Sequence, residues 1–233
     1  MTERFAIYYA PASDDPLWLA ASRWLGRDSA SGAMSVEEVA GLRREDLLVR
    51  TASARRYGFH ATIKAPMRMA FGHTVQTLVD EIERFARMNA PVAIGPTRLR
   101  LIDGFLAIVP SAQSPQLTEF AAYVVHHFDR FRAPATPEER ERRLNGRLTR
   151  RQVELMERLG YPYVLEQFQL HMTLTDRLPA EEQELYLAAA EAHFGALATR
   201  DTMLDRLVLY HEPSPGASFW RLAEFPLEGG LSR

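Results

Sequence analysis

The chain of 233 residues contains no cysteine, which excludes disulfide frameworks, zinc–thiolate and iron–sulfur sites and thiol nucleophiles. It is almost without lysine: of its 28 basic residues only Lys64 is not arginine, so one ammonium stands out against a guanidinium background. It has little net charge, −2 at neutral pH. That argues against a broad nucleic-acid surface, which usually needs a strong basic excess, and leaves a small anionic substrate open. No apolar run approaches the roughly 20 residues of a membrane span, and the opening residues lack a basic segment followed by an apolar core. A cytoplasmic protein without membrane contact is therefore expected. There is no His-Glu-x-x-His and no tight Asp/His cluster on one element, so neither a metal nor a cofactor is expected. What remains, with 46% hydrophobic residues, is a chain able to bury a sizeable core.

Residues 4–10 are aromatic and β-branched and read as a strand ended by Pro11. A helix is predicted from Pro16 to Leu25, with Asp14 or Asp15 as N-cap and Gly26 as its stop. Residues 27–56 read as a long connection with a short helix around Val36 to Leu42. From Gly58 the pattern alternates: Phe59, Ala61 and Ile63 share one face of a strand, His60, Thr62 and Lys64 the other, and Pro66 ends it. A helix over Thr74 to Met88 and strands at 92–102 and 105–110, joined at Asp103-Gly104, complete the first half. The second half offers helices at 115–131 and 149–159, a strand at 166–175, a helix at 180–197, and strands at 204–211 and 218–224 around a Pro213–Gly216 turn. The Arg-rich run from Arg140 to Arg151 is interleaved with glutamates and reads as a solvated helical face.

The order of elements repeats, and so does a spacing. From His60 to the turn residue Asp103, and from His171 to Ser214, the interval is the same 43 positions. An α+β domain of two pseudo-symmetric halves, about 1–112 and 113–233, follows, with antiparallel-rich sheets forming a central cleft and helices packed outside. In a strand, residues i and i+2 point to one side about 7 Å apart, so His60-Ala61-Thr62 and His171-Met172-Thr173 each present an imidazole and a hydroxyl to the cleft. In the second strand Phe168, Leu170, Met172 and Leu174 suit the core, and Gln167, Gln169, His171, Thr173 and Thr175 suit the cleft. Two opposed imidazoles supply a base and an acid near neutrality. The remaining histidines, His73, His126, His127, His193 and His211, fall on helices or near turns and receive no role.

The segment Arg56-Tyr57-Gly58-Phe59-His60-Ala61-Thr62-Ile63-Lys64-Ala65-Pro66, the segment Leu170-His171-Met172-Thr173-Leu174, Phe5 to Pro11 and Trp24 to Asp28 together resemble the two-histidine (2H) phosphoesterase superfamily. The likeness is greatest to its bacterial branch associated with phosphonate-utilisation operons. The resemblance implies a duplicated two-lobed fold and metal-independent hydrolysis of a small sugar or nucleotide cyclic phosphate, with His60 and His171 catalytic and Thr62 and Thr173 holding the phosphate. Proximity adds Lys64, Arg56 and Tyr57 as phosphate-binding candidates. A monomer that takes a small phosphorylated substrate, with neither membrane nor nucleic acid as partner, is expected. Two alternatives remain: a non-catalytic phosphate-ligand binding protein, and an RNA-end phosphodiesterase or ligase that would stack bases on Tyr8, Tyr57 and Trp220.

Overall fold

The structure is a computed structural model and describes residues 3–144 and 148–229. In chain order its elements are β1 (Arg4–Tyr9), α1 (Pro16–Leu25), α2 (Arg44–Arg50), α3 (Ala52–Tyr57), β2 (Ala61–Met67), α4 (Val75–Met88), β3 (Val92–Ile102) and β4 (Phe105–Pro110). The second half contributes α5 (Pro115–His127), α6 (Pro137–Leu144), α7 (Arg150–Leu159), β5 (Met172–Thr173), α8 (Gln183–Phe194), β6 (Asp201–Leu204), β7 (Arg206–Glu212) and β8 (Trp220–Pro226). The expected α+β class is the one found. The strands form a single sheet in the order β6-β3-β4-β5-β2-β1-β7-β8, antiparallel throughout.

Strands from the two halves interleave in that sheet. The hairpin β3–β4 follows the first His-x-Thr strand in sequence but pairs with β5, which carries the second. The hairpin β7–β8 follows β5 but joins the sheet through β1, beside β2. The two motif strands meet at the centre, Ala61 opposite Met172. Helices α4, α5 and α8 pack against the sheet, and α1 against α8. The core they close includes the fully buried Ile7, Ala61, Leu106, Ile108, Met172 and Leu209.

Local chemistry explains both the agreements and the departures. Asp15 caps α1 through its carboxylate, which accepts from Leu17 N at 2.7 Å, and Gly26 ends the helix in the left-handed conformation. The β3–β4 hairpin turns on Asp103 and Gly104, both at positive φ, as a two-residue turn requires. The helix expected at Val36–Leu42 is absent. Ala40 and Gly41 both take positive φ, so Val39 and Leu42 bridge across a tight turn, and their apolar spacing reflects that turn. The helices of this connection are α2 and α3, further on. Buried Arg44 holds the loop to α1, its guanidinium donating to Glu37 O at 2.7 Å and Trp24 O at 3.3 Å.

The strand expected at 166–175 is a ladder only at Met172–Thr173, preceded by a 3-10 turn at Leu165–Gln167. Upstream, the Gln113 side chain stands in for a neighbouring strand: it accepts from Leu170 N at 2.7 Å and donates to Phe168 O at 2.9 Å. The alternation survives, with Phe168, Leu170, Met172 and Leu174 buried, but Thr175 departs from it. Its hydroxyl is buried and accepts from Leu106 N at 2.9 Å. Strand β6 is additional to the expected elements, and α6 covers the first part of the Arg-rich run read as a helical face. Of the run 140–151, residues 145–147 lie outside the described residues.

Candidate active site

Ala61 and Met172 face the core, so their neighbours face the other side of the sheet. Continuing that antiparallel register sets His60 opposite Thr173 and Thr62 opposite His171. Together the four side chains line one cleft of about 290 Å³. Tyr8 from β1 and Tyr57 and Gly58 at the end of α3 wall it on one side. Ser53, Asp176 and Tyr161, none of them singled out from the sequence, complete it. Asp176 was detectable only in three dimensions: its carboxylate accepts from Ser53 N at 2.9 Å and Ala54 N at 3.1 Å, tying the start of α3 to the residues just after β5.

Both imidazoles are held in the same way. His60 Nδ1 lies 2.9 Å from the carbonyl of Gly58, and His171 Nδ1 lies 2.8 Å from the carbonyl of Gln169. A carbonyl can only accept, so each Nδ1 carries a proton and each Nε2 is left as the reactive nitrogen. In His60 that nitrogen accepts from the Thr62 hydroxyl at 3.2 Å. The carbonyl used by His60 belongs to a glycine for steric reasons. Gly58 has φ 78°, and a Cβ there would collide with the Ser29 side chain.

The surroundings of the two rings differ. His60 stacks on buried Tyr8, ring centroids 3.9 Å apart, with Tyr57 at 6.0 Å and Tyr210 at 6.1 Å. Burial among these rings pushes its pKa down to about 4; the Gly58 carbonyl opposes the fall and the nearby His171 adds to it. His60 is therefore a neutral base at physiological pH. His171 is more open, with Phe105 as its aromatic neighbour at 5.8 Å.

The three candidates added from proximity separate. Tyr57 lines the cleft. Arg56 lies behind it, its guanidinium 4.5 Å from the Tyr57 ring centroid and bonded to Glu212 Oε1 at 2.9 Å, and it faces a neighbouring opening. Lys64 is not brought to the cleft. It is 2% exposed, and its ammonium donates to Val125 O at 3.1 Å and Asp129 Oδ1 at 3.0 Å. The cause is a bulge: Tyr8 pairs with Thr62 but the adjacent Ile7 pairs with Lys64, so one residue of β1 spans two of β2 and the alternation breaks after Thr62. A second irregularity lets β2 run through Pro66 to Met67, past the proline expected to end it. Burial lowers the Lys64 pKa against the opposing pull of Asp129. Burial raises the Asp129 carboxyl, but Arg132 and Lys64 outweigh it and hold the group below its ordinary range. Among the described residues no group of three or more His, Asp or Glu side chains is placed to hold a metal ion.

The family described as "Protein of unknown function (DUF1045)" matches residues 62–220. The chain belongs to the DUF1045 family. Ribose 1,5-bisphosphate phosphokinase PhnN of Janthinobacterium sp. (strain Marseille) is 36% identical over 97% of this chain and 51% of its own length. A protein of the same name from Laribacter hongkongensis is 35% identical over 93% of this chain and 50% of its own. The chain thus spans about half the length of the curated relatives it matches. Among solved structures, E. coli LigT complexed with NADP+ aligns over 98% of this chain and 99% of that one, at 10% identity and a TM-score of 0.43. In the DUF1045 chain, the two His-x-Thr motifs lie side by side at the centre of an α+β fold. Among the described residues no helix is long and apolar enough to cross a membrane.

Proposed function

We propose that this DUF1045 chain is a metal-independent cyclic phosphodiesterase acting on a phosphorylated sugar. The observation that carries the reading is the pair of imidazoles, each tethered through Nδ1 to a backbone carbonyl and lining one cleft with Thr62 and Thr173. His60, kept neutral by burial, takes a proton from water at Nε2. The water oxygen attacks phosphorus in line, the bond to one ring oxygen of the cyclic ester breaks, and protonated His171 gives its Nε2 proton to that departing oxygen. The products are a phosphomonoester and a free hydroxyl. The two threonine hydroxyls are suited to the non-bridging oxygens, where charge must be held as the bond breaks.

The names of the longer relatives guide the choice of sugar. This chain contains no G-x-x-x-x-G-K-Ser/Thr loop, its one lysine being Lys64, so we assign the kinase activity in those names to the part that this chain does not match. A phosphodiesterase joined to such a kinase has an economical role: opening the 1,2-cyclic phosphate of ribose 5-phosphate at O2 yields ribose 1,5-bisphosphate. Phosphorus NMR on a panel of ribose and nucleotide cyclic phosphates, run with a chelator, tests this. Turnover should persist, and His60→Ala and His171→Ala should each slow it by about 10²–10⁴-fold. Unchanged rates in both variants would refute the mechanism, and saturable binding without turnover across the panel would favour a ligand-binding protein.

A further inference from the structure

Beside the cleft, sharing Tyr57 as a wall, lies a larger opening of about 600 Å³ lined by Arg4, Arg56, Arg68, Glu139 and the Pro215–Gly216 turn. Three guanidiniums meet there, and two carboxylates pair with these same arginines. Glu212, wholly buried, accepts from Arg4 Nε, from Arg56 Nη1 at 2.9 Å and from Gly216 N at 3.0 Å. Glu139 accepts from Arg68 Nη2 at 3.1 Å and from Thr136 N at 2.9 Å. Glu212 sits behind the arginines, where a ligand cannot reach it, while the side chains of Arg4, Arg56 and Arg68 keep 20%, 26% and 21% of their surface exposed.

A wholly buried carboxylate is expensive to desolvate, and an apolar residue in its place is often no less stable. Its effect here is to fix the direction of two guanidiniums. Both also lie over the Phe219 ring, Arg4 at 5.9 Å and Arg56 at 5.7 Å from its centroid, and Arg56 stacks on Tyr57. Such a rigid planar fork suits the oxygens of a phosphate, which accept in pairs. The route from here to the catalytic imidazole is short: 4.5 Å from the Arg56 guanidinium to the Tyr57 ring and 6.0 Å from that ring to His60. The two openings thus adjoin at the Tyr57 ring.

We infer that this opening is a second phosphate subsite, in which Arg4, Arg56 and Arg68, aimed by Glu212, bind a phosphomonoester carried by the sugar whose cyclic diester lies between the histidines. Glu212 is a positioning residue. The inference rests on the proposed phosphodiesterase reading for the cyclic group, but the subsite itself needs only a phosphomonoester. It makes the enzyme selective for a substrate phosphorylated at both ends of the sugar, and the upstream reaction must then deliver a cyclic phosphate that still bears its monoester.

Calorimetric binding of ribose 5-phosphate to the full chain carrying His60→Ala separates the two ideas, because no turnover is needed. Ribose 5-phosphate should bind at least about tenfold more tightly than ribose. Arg4→Gln and Arg68→Gln should each weaken it about tenfold or more, with ribose affinity as the internal reference and circular dichroism confirming the fold. Equal affinity for ribose and ribose 5-phosphate, or phosphate affinity indifferent to both arginines, overturns the subsite even if cyclic phosphates are hydrolysed. In wild type, kcat/KM for ribose 1,2-cyclic phosphate should rise at least about tenfold when the sugar carries a 5-phosphate, and a ratio near one counts against the subsite. Arginine-dependent binding of ribose 5-phosphate without hydrolysis of any cyclic phosphate would keep the subsite and sink the phosphodiesterase.

Discussion

The position of His60 gives stability a specific pH dependence. Its pKa falls from 6.5 to about 4 on folding because the ring is buried against Tyr8 and near Tyr57 and Tyr210. A base with a depressed folded pKa contributes its full stability above the unfolded value, and loses it as the pH falls, because the unfolded chain takes up a proton that the folded chain refuses. The window therefore runs from pH 6.5 down to about 4. Between pH 7.5 and pH 5 the linkage relation gives a loss of about 2 kcal/mol from this group, and near pH 4 about 3 kcal/mol. Other groups titrate in the same range, half-buried His193 among them, its pKa lowered by burial, so the measurement is a difference. Urea unfolding of wild type and of His60→Asn, whose amide can still donate to the Gly58 carbonyl, should show wild type losing about 2 kcal/mol more than the variant over that interval. An NMR titration should place His60 near pH 4, and the acidic limb of kcat/KM assigned to this base should fall there also. Equal pH dependence in the two proteins, or a His60 that titrates near 6.5, would show that the ring is hydrated and that the reason given for its neutrality is wrong.

Two further outcomes follow from residues around the cleft. Lys64→Met should leave turnover within about threefold and cost at most about 2 kcal/mol, since Asp129 keeps its paired bonds to Arg132, whereas Lys64→Ala should cost about 2–4 kcal/mol by leaving a cavity. A rate loss above tenfold in Lys64→Met at unchanged urea midpoint would place the ammonium in the chemistry after all. Gln113→Ala should destabilise by about 1–3 kcal/mol and lower kcat more than it raises KM, because Leu170 N and the Phe168 carbonyl lose their partner just before His171. Wild-type kinetics in a destabilised Gln113→Ala would show that this amide does not position the histidine.

Much of the fold was legible because the relevant forces are local. The caps of α1, the Asp103-Gly104 turn and the apolar stripe of α4 are written within a few residues of where they act. The two His-x-Thr segments were legible because alternation over several residues fixes which face each side chain takes. Lys64 escaped because a bulge is a property of a pair of strands: nothing within residues 58–66 says that Ile7 will oppose Lys64 while Tyr8 opposes Thr62. The short ladder of β5 escaped for the same reason, since its completion by Gln113 and Thr175 depends on residues brought in from elsewhere. The opening formed by Arg4, Arg56 and Arg68 draws on β1, α3 and the residues after β2, with Glu212 from β7 behind it. Nearness to the first motif singles out Arg56, but in an arginine-rich sequence nothing marks Arg4 or Arg68.

The topology also explains why the second motif strand can be so short. β5 is the only link between β2 and β4 in the described sheet, so the continuity of the sheet passes through Met172 and Thr173. Two ladder residues would be a weak joint, but the flanking backbone is fixed by side chains from several directions. Gln113 holds Phe168 and Leu170, the Trp24 indole donates to Leu174 O at 3.0 Å, Thr175 accepts from Leu106, and Asp176 is pinned at both backbone and carboxylate by α2 and α3. His171 is thereby positioned by bonds that converge from both halves of the chain, while His60 immediately precedes β2, held by the Gly58 carbonyl and stacked on Tyr8. A site built this way needs both halves folded before either imidazole has its partner. Loosening any one of those side-chain bonds should disturb His171 sooner than His60.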